Sequence, residues 1–206
     1  MWGLVESGSI TKLINNPKGL VVGDIRYSRK IFELWSKSEL EAIGIYEVEF
    51  NNSNRKDEQW YTNTNQSFAF ADGKITASYG SATARAHADT LYTNQDKTDG
   101  KIPTGKDVGD VKTEGLKTKL IRKVKAQAAG ILQDTDWYIV RKADAETAVP
   151  CAITNHRAAV RTKAAEMETA ITNASDTPAL ETLYTYTEQE DKSVTRPLGE
   201  LPTLES

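Results

Sequence analysis

The chain has 206 residues, a formal net charge of −3, and 38 % hydrophobic against 27 % charged residues. That length fits one large domain or two small ones, and the apolar share supplies only a lean core, of the kind that small units supplement with a partner or an oligomer. The acidic balance leaves no electrostatic footprint for duplex nucleic acid, the single cysteine, Cys151, excludes an internal disulfide, and no run approaches the ~18 apolar residues of a membrane span. The opening Met-Trp-Gly-Leu-Val-Glu-Ser lacks the basic region and long apolar run of a leader, so a soluble protein made in the cytoplasm is expected.

Residues 1–28 read as short strands around the turn cluster Asn15-Asn16-Pro17-Lys18-Gly19. Ser36 followed by Glu39 fits a capping box and Gly44 a helix stop, which predicts a short helix over about 37–43 with Leu40 and Ile43 inward. Ile45 to Phe50 alternates apolar and charged residues, the period of a half-buried strand. The same pattern continues through Trp60-Tyr61, Ser67 to Phe70 and Lys74 to Tyr79, with Asp72-Gly73 as a hairpin turn. The first half therefore reads as an antiparallel meander carrying one short helix.

Between 86 and 112 the composition turns polar, glycine-containing and poor in apolar residues, which predicts a linker or mobile loop. Leu116, Leu120, Val124, Ala128 and Ile131 then form an apolar stripe at helical spacing, and the chain is expected to leave the helix at Thr135-Asp136-Trp137-Tyr138. A second helix starts near Val149-Pro150, with Ile153, Val160, Ala164, Met167 and Ile171 as its seam. Asp176 caps a last short helix carrying Leu180, Leu183 and Tyr184. The class that results is α+β: a β-rich domain over 1–85, a linker over 86–112, a helical hairpin with a short third helix over 113–186, and an extended tail over 187–206.

Few residues carry chemistry. Cys151 and His156, five apart, point about 140° from one another on a helix, so a thiolate–imidazole pair is not expected. Two histidines and one cysteine are too few for a transition-metal site, and the aspartates at 96, 99, 134 and 136 lack the spacing of a calcium loop. Gly100 to Lys106 matches Gly-x-x-x-x-Gly-Lys, but Asp107 stands where a phosphate loop needs Ser or Thr, and no strong strand precedes it. No cofactor is called for. The basic run Lys117, Lys119, Arg122, Lys123 and Lys125 reads as a solvated helix face, or else as a docking site for an acidic partner. The aromatic side chains concentrate in the β half, where they supply core and a remainder for partner contact.

Two segments carry a resemblance. Arg122, Ala126, Ala128 and Leu132, then Thr135-Asp136-Trp137, Ile153 and His156-Arg157-Ala158-Ala159-Val160-Arg161, resemble the C-terminal region of bacteriophage tail-fibre assembly proteins. His156 and Val160 stand where that family usually has tyrosine and leucine. Tyr27 to Phe32, Trp35-Ser36 and Ala42-Ile43-Gly44-Ile45-Tyr46 resemble the N-terminal module of small phage tail proteins. Together the segments cover roughly half the chain, 27–46 and 116–161.

The resemblance implies a non-enzymatic tail protein that binds, and helps to assemble or attach, a tail fibre or a neighbouring tail component. Such a protein acts in the host cytoplasm during assembly or stays in the virion tail, either as a chaperone or as a permanent subunit. Its partners are tail proteins or further copies of itself, not nucleic acid or membrane. A carbohydrate- or receptor-binding module at the tail tip is the alternative, with Trp60 and Tyr61 stacking on sugars. The candidate partner-binding and structural residues are Trp35, Tyr46, Trp60, Tyr61, Thr135, Asp136, Trp137, Arg157 and Arg161. Thr135 and Asp136 are expected to satisfy free backbone donors at the turn, and Trp137 to fill the junction of two helices, so that Trp137→Ala loosens the helical half. Arg157 and Arg161, one turn apart, are expected to share a carboxylate or two main-chain carbonyls.

Overall fold

The computed structural model describes residues 1–204 and has the α+β class, with a β-rich N-terminal part and helices in the C-terminal part. The chain divides into two compact units, Met1–Thr83 and a second beginning at Ala84.

The first unit contains β1 (Trp2–Glu6), β2 (Ser9–Ile14), β3 (Leu20–Val22), β4 (Ile25–Tyr27), α1 (Ile31–Leu34), α2 (Lys37–Ala42), β5 (Ile45–Asn51), β6 (Tyr61–Thr62), β7 (Ser67–Ala71) and β8 (Lys74–Ser78). A two-residue strand, β9 (Thr83–Ala84), lies at the unit boundary. The main sheet has the order β2-β1-β5-β8-β7. Its pairings are antiparallel as the alternation predicts, except that β5 and β8 run parallel, Val48 facing Ile75 and Asn51 facing Ser78. The β6 and β7 segments lie in sequence between these two neighbours, so the connection is a crossover rather than a meander. The edge strands β2 and β7 approach each other, which curls the sheet.

Strand alternation puts Ile45 and Val48 on opposite faces, and each face has its own core. Leu4, Ile14, Leu20, Ile31, Leu40 and Ile45 pack on one side beneath the short helices. Val48, Ile75 and Ala77 pack on the other with Tyr46, Phe68 and Phe70 beside them. Gly3 is needed for close approach: a Cβ there would lie 2.4 Å from Ile75 Cδ1. The Ser36–Glu39 capping box forms as expected, and Gly44 ends the helical stretch at φ 79° with the Val5 carbonyl too near for a Cβ. Asp72 and Gly73 both take positive φ, the two-residue hairpin turn their sequence signals. The segment at 31–34 adds a helical turn that the reading of one short helix lacks.

The second unit contains β10 (Thr90–Leu91), α3 (Asn94–Thr98), β11 (Val111–Thr113), α4 (Leu116–Gln133), α5 (Asp136–Ala145), α6 (Cys151–Asn173), α7 (Thr177–Tyr184), β12 (Thr187–Glu188) and β13 (Val194–Thr195). The helices α4 and α6 form an antiparallel pair: Lys117 Nζ donates to the Thr172 carbonyl at one end and Arg157 reaches Leu132 at the other. The buried seam is Leu116, Leu120, Val124 and Ala128 against Ile153, Val160, Ala164, Met167 and Ile171, as predicted, except that Ile131 at the end of the expected α4 stripe is only half-buried. Leu180 on α7 is buried as well, and Asp176 caps that helix by accepting from the Ala179 amide.

Three expectations need correction. The stretch 86–112 is folded rather than a linker or mobile loop, and it is organised by polar groups instead of an apolar pattern. The Ala86 and His87 carbonyls accept from the Leu116 and Lys117 amides, while Asp89 accepts from the Gly115 amide and the Thr118 hydroxyl. The three amides are free donors of the α4 N-terminus, and Gly115 permits the approach because a Cβ would sit 2.3 Å from the Ala88 carbonyl carbon. The chain does not leave helical conformation after Thr135 but starts α5. The tail is not simply extended: β12 and β13 pair, the Leu198 amide donates to the Leu183 carbonyl, and the Leu198 side chain is buried.

Candidate functional site

The residues at the α4–α5 junction are held by α6. Thr135 adopts φ −114° and ψ 4°, which interrupts the helix, and its amide and hydroxyl both donate back to the Leu132 carbonyl. From α6, Arg157 is buried and reaches the same corner. Its Nη1 donates to the Leu132 carbonyl at 2.7 Å and to Thr135 Oγ1 at 2.6 Å, and its Nη2 donates to Asp136 Oδ1 at 2.8 Å. The planar guanidinium suits three acceptors set around one edge of it, which an ammonium cannot match. Arg157 Nε is buried without an acceptor among the described residues. Charge-assisted bonds to Nη1 and Nη2 outweigh that loss, because they are the stronger class of hydrogen bond.

The clasp exists, then, but its parts differ from the sequence expectation. Thr135 and Asp136 meet an arginine rather than free backbone donors. Arg161 stays exposed one turn further along, and Arg157 alone holds both a carboxylate and a carbonyl. Trp137 does not fill the helix junction. It is 50 % exposed, with its ring against Tyr138 and the Arg141 guanidinium 4.8 Å from its centroid.

What the clasp positions is α5, a helix in which no residue is buried. Four consecutive apolar residues, Trp137-Tyr138-Ile139-Val140, spread around more than half the helix circumference, so no single packing face could cover them. Trp137, Ile139 and Val140 all stand largely in solvent, Val140 at 65 %. That run is the signal the sequence contained for an exposed apolar surface, and it is legible only once the segment is known to be helical.

The remaining candidates separate. Trp35 is half-exposed and packs edge-on against Tyr27 at 5.6 Å; Tyr46 packs on Phe70 at 4.7 Å. Trp60 and Tyr61 are buried at 4 % and 5 % exposure, with Lys56 Nζ 4.4 Å from the Tyr61 ring centroid. Their ring faces are core, so sugar stacking on them is overturned. Trp35, Tyr46, Trp60 and Tyr61 belong to the first unit and Thr135, Asp136, Trp137, Arg157 and Arg161 to the second.

The basic run on α4 is partly committed within the chain: Lys117 bonds the Thr172 carbonyl, Arg122 pairs with Glu114, and Lys125 pairs with Glu168. Lys119 and Lys123 face solvent. Cys151 is exposed at the start of α6, whereas His156 is buried in its seam. The Gly100–Lys106 loop leads to β11 and not to a helix N-terminus, with Lys97 paired to Asp107 across it. A phosphate cradle needs that helix start. No group of three or more His, Cys, Asp or Glu among the described residues is arranged to hold a metal, and no described helix is long and apolar enough to cross a membrane.

Set beside models of protein families, curated proteins and solved structures, the chain matches none of them.

Proposed function

We propose that the chain is a non-enzymatic bacteriophage tail protein that binds a tail fibre or a neighbouring tail component and helps to assemble or attach it. The observation that carries the reading is α5: an arginine clasp on the Thr135-Asp136 turn holds out a helix in which no residue is buried and in which Trp137, Ile139 and Val140 are exposed. Exposed apolar clusters of this kind mark protein–protein contact on proteins that must stay dissolved alone. The clasp falls within the segment 116–161, whose residues resemble the C-terminal region of tail-fibre assembly proteins. Such an arrangement suits an assembly protein, which needs an adhesive element held in place.

The glycan-binding alternative loses its named residues, since Trp60 and Tyr61 are buried. The test is mass spectrometry of purified particles together with affinity capture from infected cells. A fixed copy number in particles supports a permanent tail subunit, and absence from particles with capture of the fibre polypeptide supports an assembly factor. Absence from particles with no tail protein captured sinks the proposal.

A further inference from the structure

The corner between α4 and α5 bends without the residues that usually bend a helix. From Ile131 to Val149 the sequence holds neither glycine nor proline, and kinks without them arise where a group inserts into the hydrogen-bond ladder. Asp134 keeps helical angles, φ −59° and ψ −21°, and Asp136 already belongs to α5. Only Thr135 departs, at φ −114° and ψ 4°, roughly 50° from helical values in each angle. In a continuous helix the Leu132 carbonyl would accept from the Asp136 amide, and the Gln133 carbonyl from the Trp137 amide. Neither bond is formed among the described residues. The Leu132 carbonyl accepts instead from Arg157 Nη1 at 2.7 Å and from the amide and hydroxyl of Thr135. The inserted group is a side chain from another helix, so the bend is imposed on the local sequence rather than written in it.

Without that insertion the same residues can run straight. Continued at about 1.5 Å per residue, the helix would place Ala145 roughly 18 Å past Gln133. Arg157 marks the level of Leu132, and Cys151 lies about 9 Å beyond it along α6. With the helices about 8–10 Å apart, the gap from Ala145 back to Cys151 is about 14 Å, and six residue steps reach up to about 20 Å. Residues 146–150 form no helix, and Glu146 takes φ 54°, so this connection holds slack. The straight form also gains cover. Ile139, 43 % exposed in the bent form, follows the buried Ala128 by three helical turns and would fall on the side where α4 packs against α6.

We infer that the Thr135 corner is a latched hinge: Arg157 holds α5 bent from the line of α4, and on its release the two join as one helix from Leu116 to Ala145. The bent form exchanges two ladder bonds for the guanidinium contacts, and the straight form lies above it by less than those contacts contribute. The hinge decides whether Ile139 is offered to a partner or turned toward α6. It is a property of the chain alone, and the tail-protein reading stands or falls separately.

The experiment is a distance measurement by pulsed dipolar spectroscopy on the full chain. Nitroxides are placed at Lys123→Cys and Asp144→Cys, both exposed positions, with Cys151→Ser to remove the native thiol. A straight helix sets the two backbones about 32 Å apart, and a bend at Thr135 shortens that. The chain with Arg157 intact is expected to give the shorter distance. Arg157→Ala shifts the distribution to the longer one, and amide exchange at Trp137 slows about tenfold or more as that amide gains an acceptor. Trp137→Pro bars the straight form alone. The Trp137 amide makes no backbone bond across the corner in the bent form, and proline is accepted at the second position of a helix, as Pro178 is in α7. Added to Arg157→Ala, it abolishes the long distance. Should Arg157→Ala not fold, Thr135→Ala removes one contact of the latch and is expected to populate the long distance as a second component. Variants that keep the short distance, loss of helix at 136–145 on unlatching, or a long distance that survives Trp137→Pro overturns the inference. A wild-type chain that is already straight overturns it too.

Discussion

Replacing Arg157 with alanine probes the polar contacts that tie the α4–α5 corner to α6. The guanidinium makes three hydrogen bonds, to the Leu132 carbonyl, Thr135 Oγ1 and Asp136 Oδ1. They do not count equally. Asp136 is 57 % exposed, so its bond behaves as a surface pair, about 0–1 kcal/mol. The Leu132 carbonyl keeps the Thr135 amide and hydroxyl as donors after the substitution and is not orphaned. What is lost in full is the buried charge-assisted bonding of Nη1, about 1.5–3 kcal/mol, together with the packing of the arginine stem. The expected destabilisation is about 3 kcal/mol, which for a unit of this size lowers Tm by roughly 10 °C. Arg157→Lys keeps the charge but not the fork, and should recover only part of that loss. Thermal unfolding of the full chain, followed at the helical band, measures both. A shift below about 2 °C for the alanine variant would refute the reasoning, because the corner would then be held by apolar packing alone.

Trp137→Ala should move the melt by less than about 0.5 kcal/mol, as for other surface positions, since the ring is half in solvent and touches its own helix; loss of the helical transition would return Trp137 to the junction. Gly115→Ala drives a Cβ to 2.3 Å from the Ala88 carbonyl carbon and should cost about 1–3 kcal/mol, read as a lower denaturant midpoint; an unchanged midpoint means the 86–89 capping contacts are dispensable. The Lys112 ammonium at 2.6 Å, with the Thr93 amide and hydroxyl, holds the Asp96 carboxyl well below the ordinary carboxylate range. A depressed native value stabilises the fold fully above the unfolded value, about pH 4, and the contribution is lost as pH falls below it toward the native one. Amide exchange of residues 90–113 should therefore accelerate under mild acid, and Asp96→Asn should abolish that dependence; a variant with the same acid response excludes Asp96 as its source.

The partition between sequence and tertiary structure follows from the range of the forces involved. Local chemistry was legible along the chain. The Ser36–Glu39 box, the Asp72-Gly73 turn, the Asp176 cap and the α4 and α6 seams depend on neighbours within a few residues, where side-chain spacing and backbone preference dominate. The two-part α+β division was legible for the same reason. What required the folded chain was every feature made by residues far apart. The parallel pairing of β5 with β8 depends on a crossover, not on either strand's pattern. The capping of α4 by Ala86, His87 and Asp89 turns a polar stretch into structure through hydrogen bonds that leave no apolar period to read. Arg157 was legible as a candidate, but its choice of Leu132, Thr135 and Asp136 over a shared role with Arg161 was set by where the two helices cross. The exposure of α5 and the burial of Trp60 and Tyr61 went against the usual weight given to aromatic residues. Periodicity states which side chains share a face; only the packing of distant elements decides whether anything covers that face.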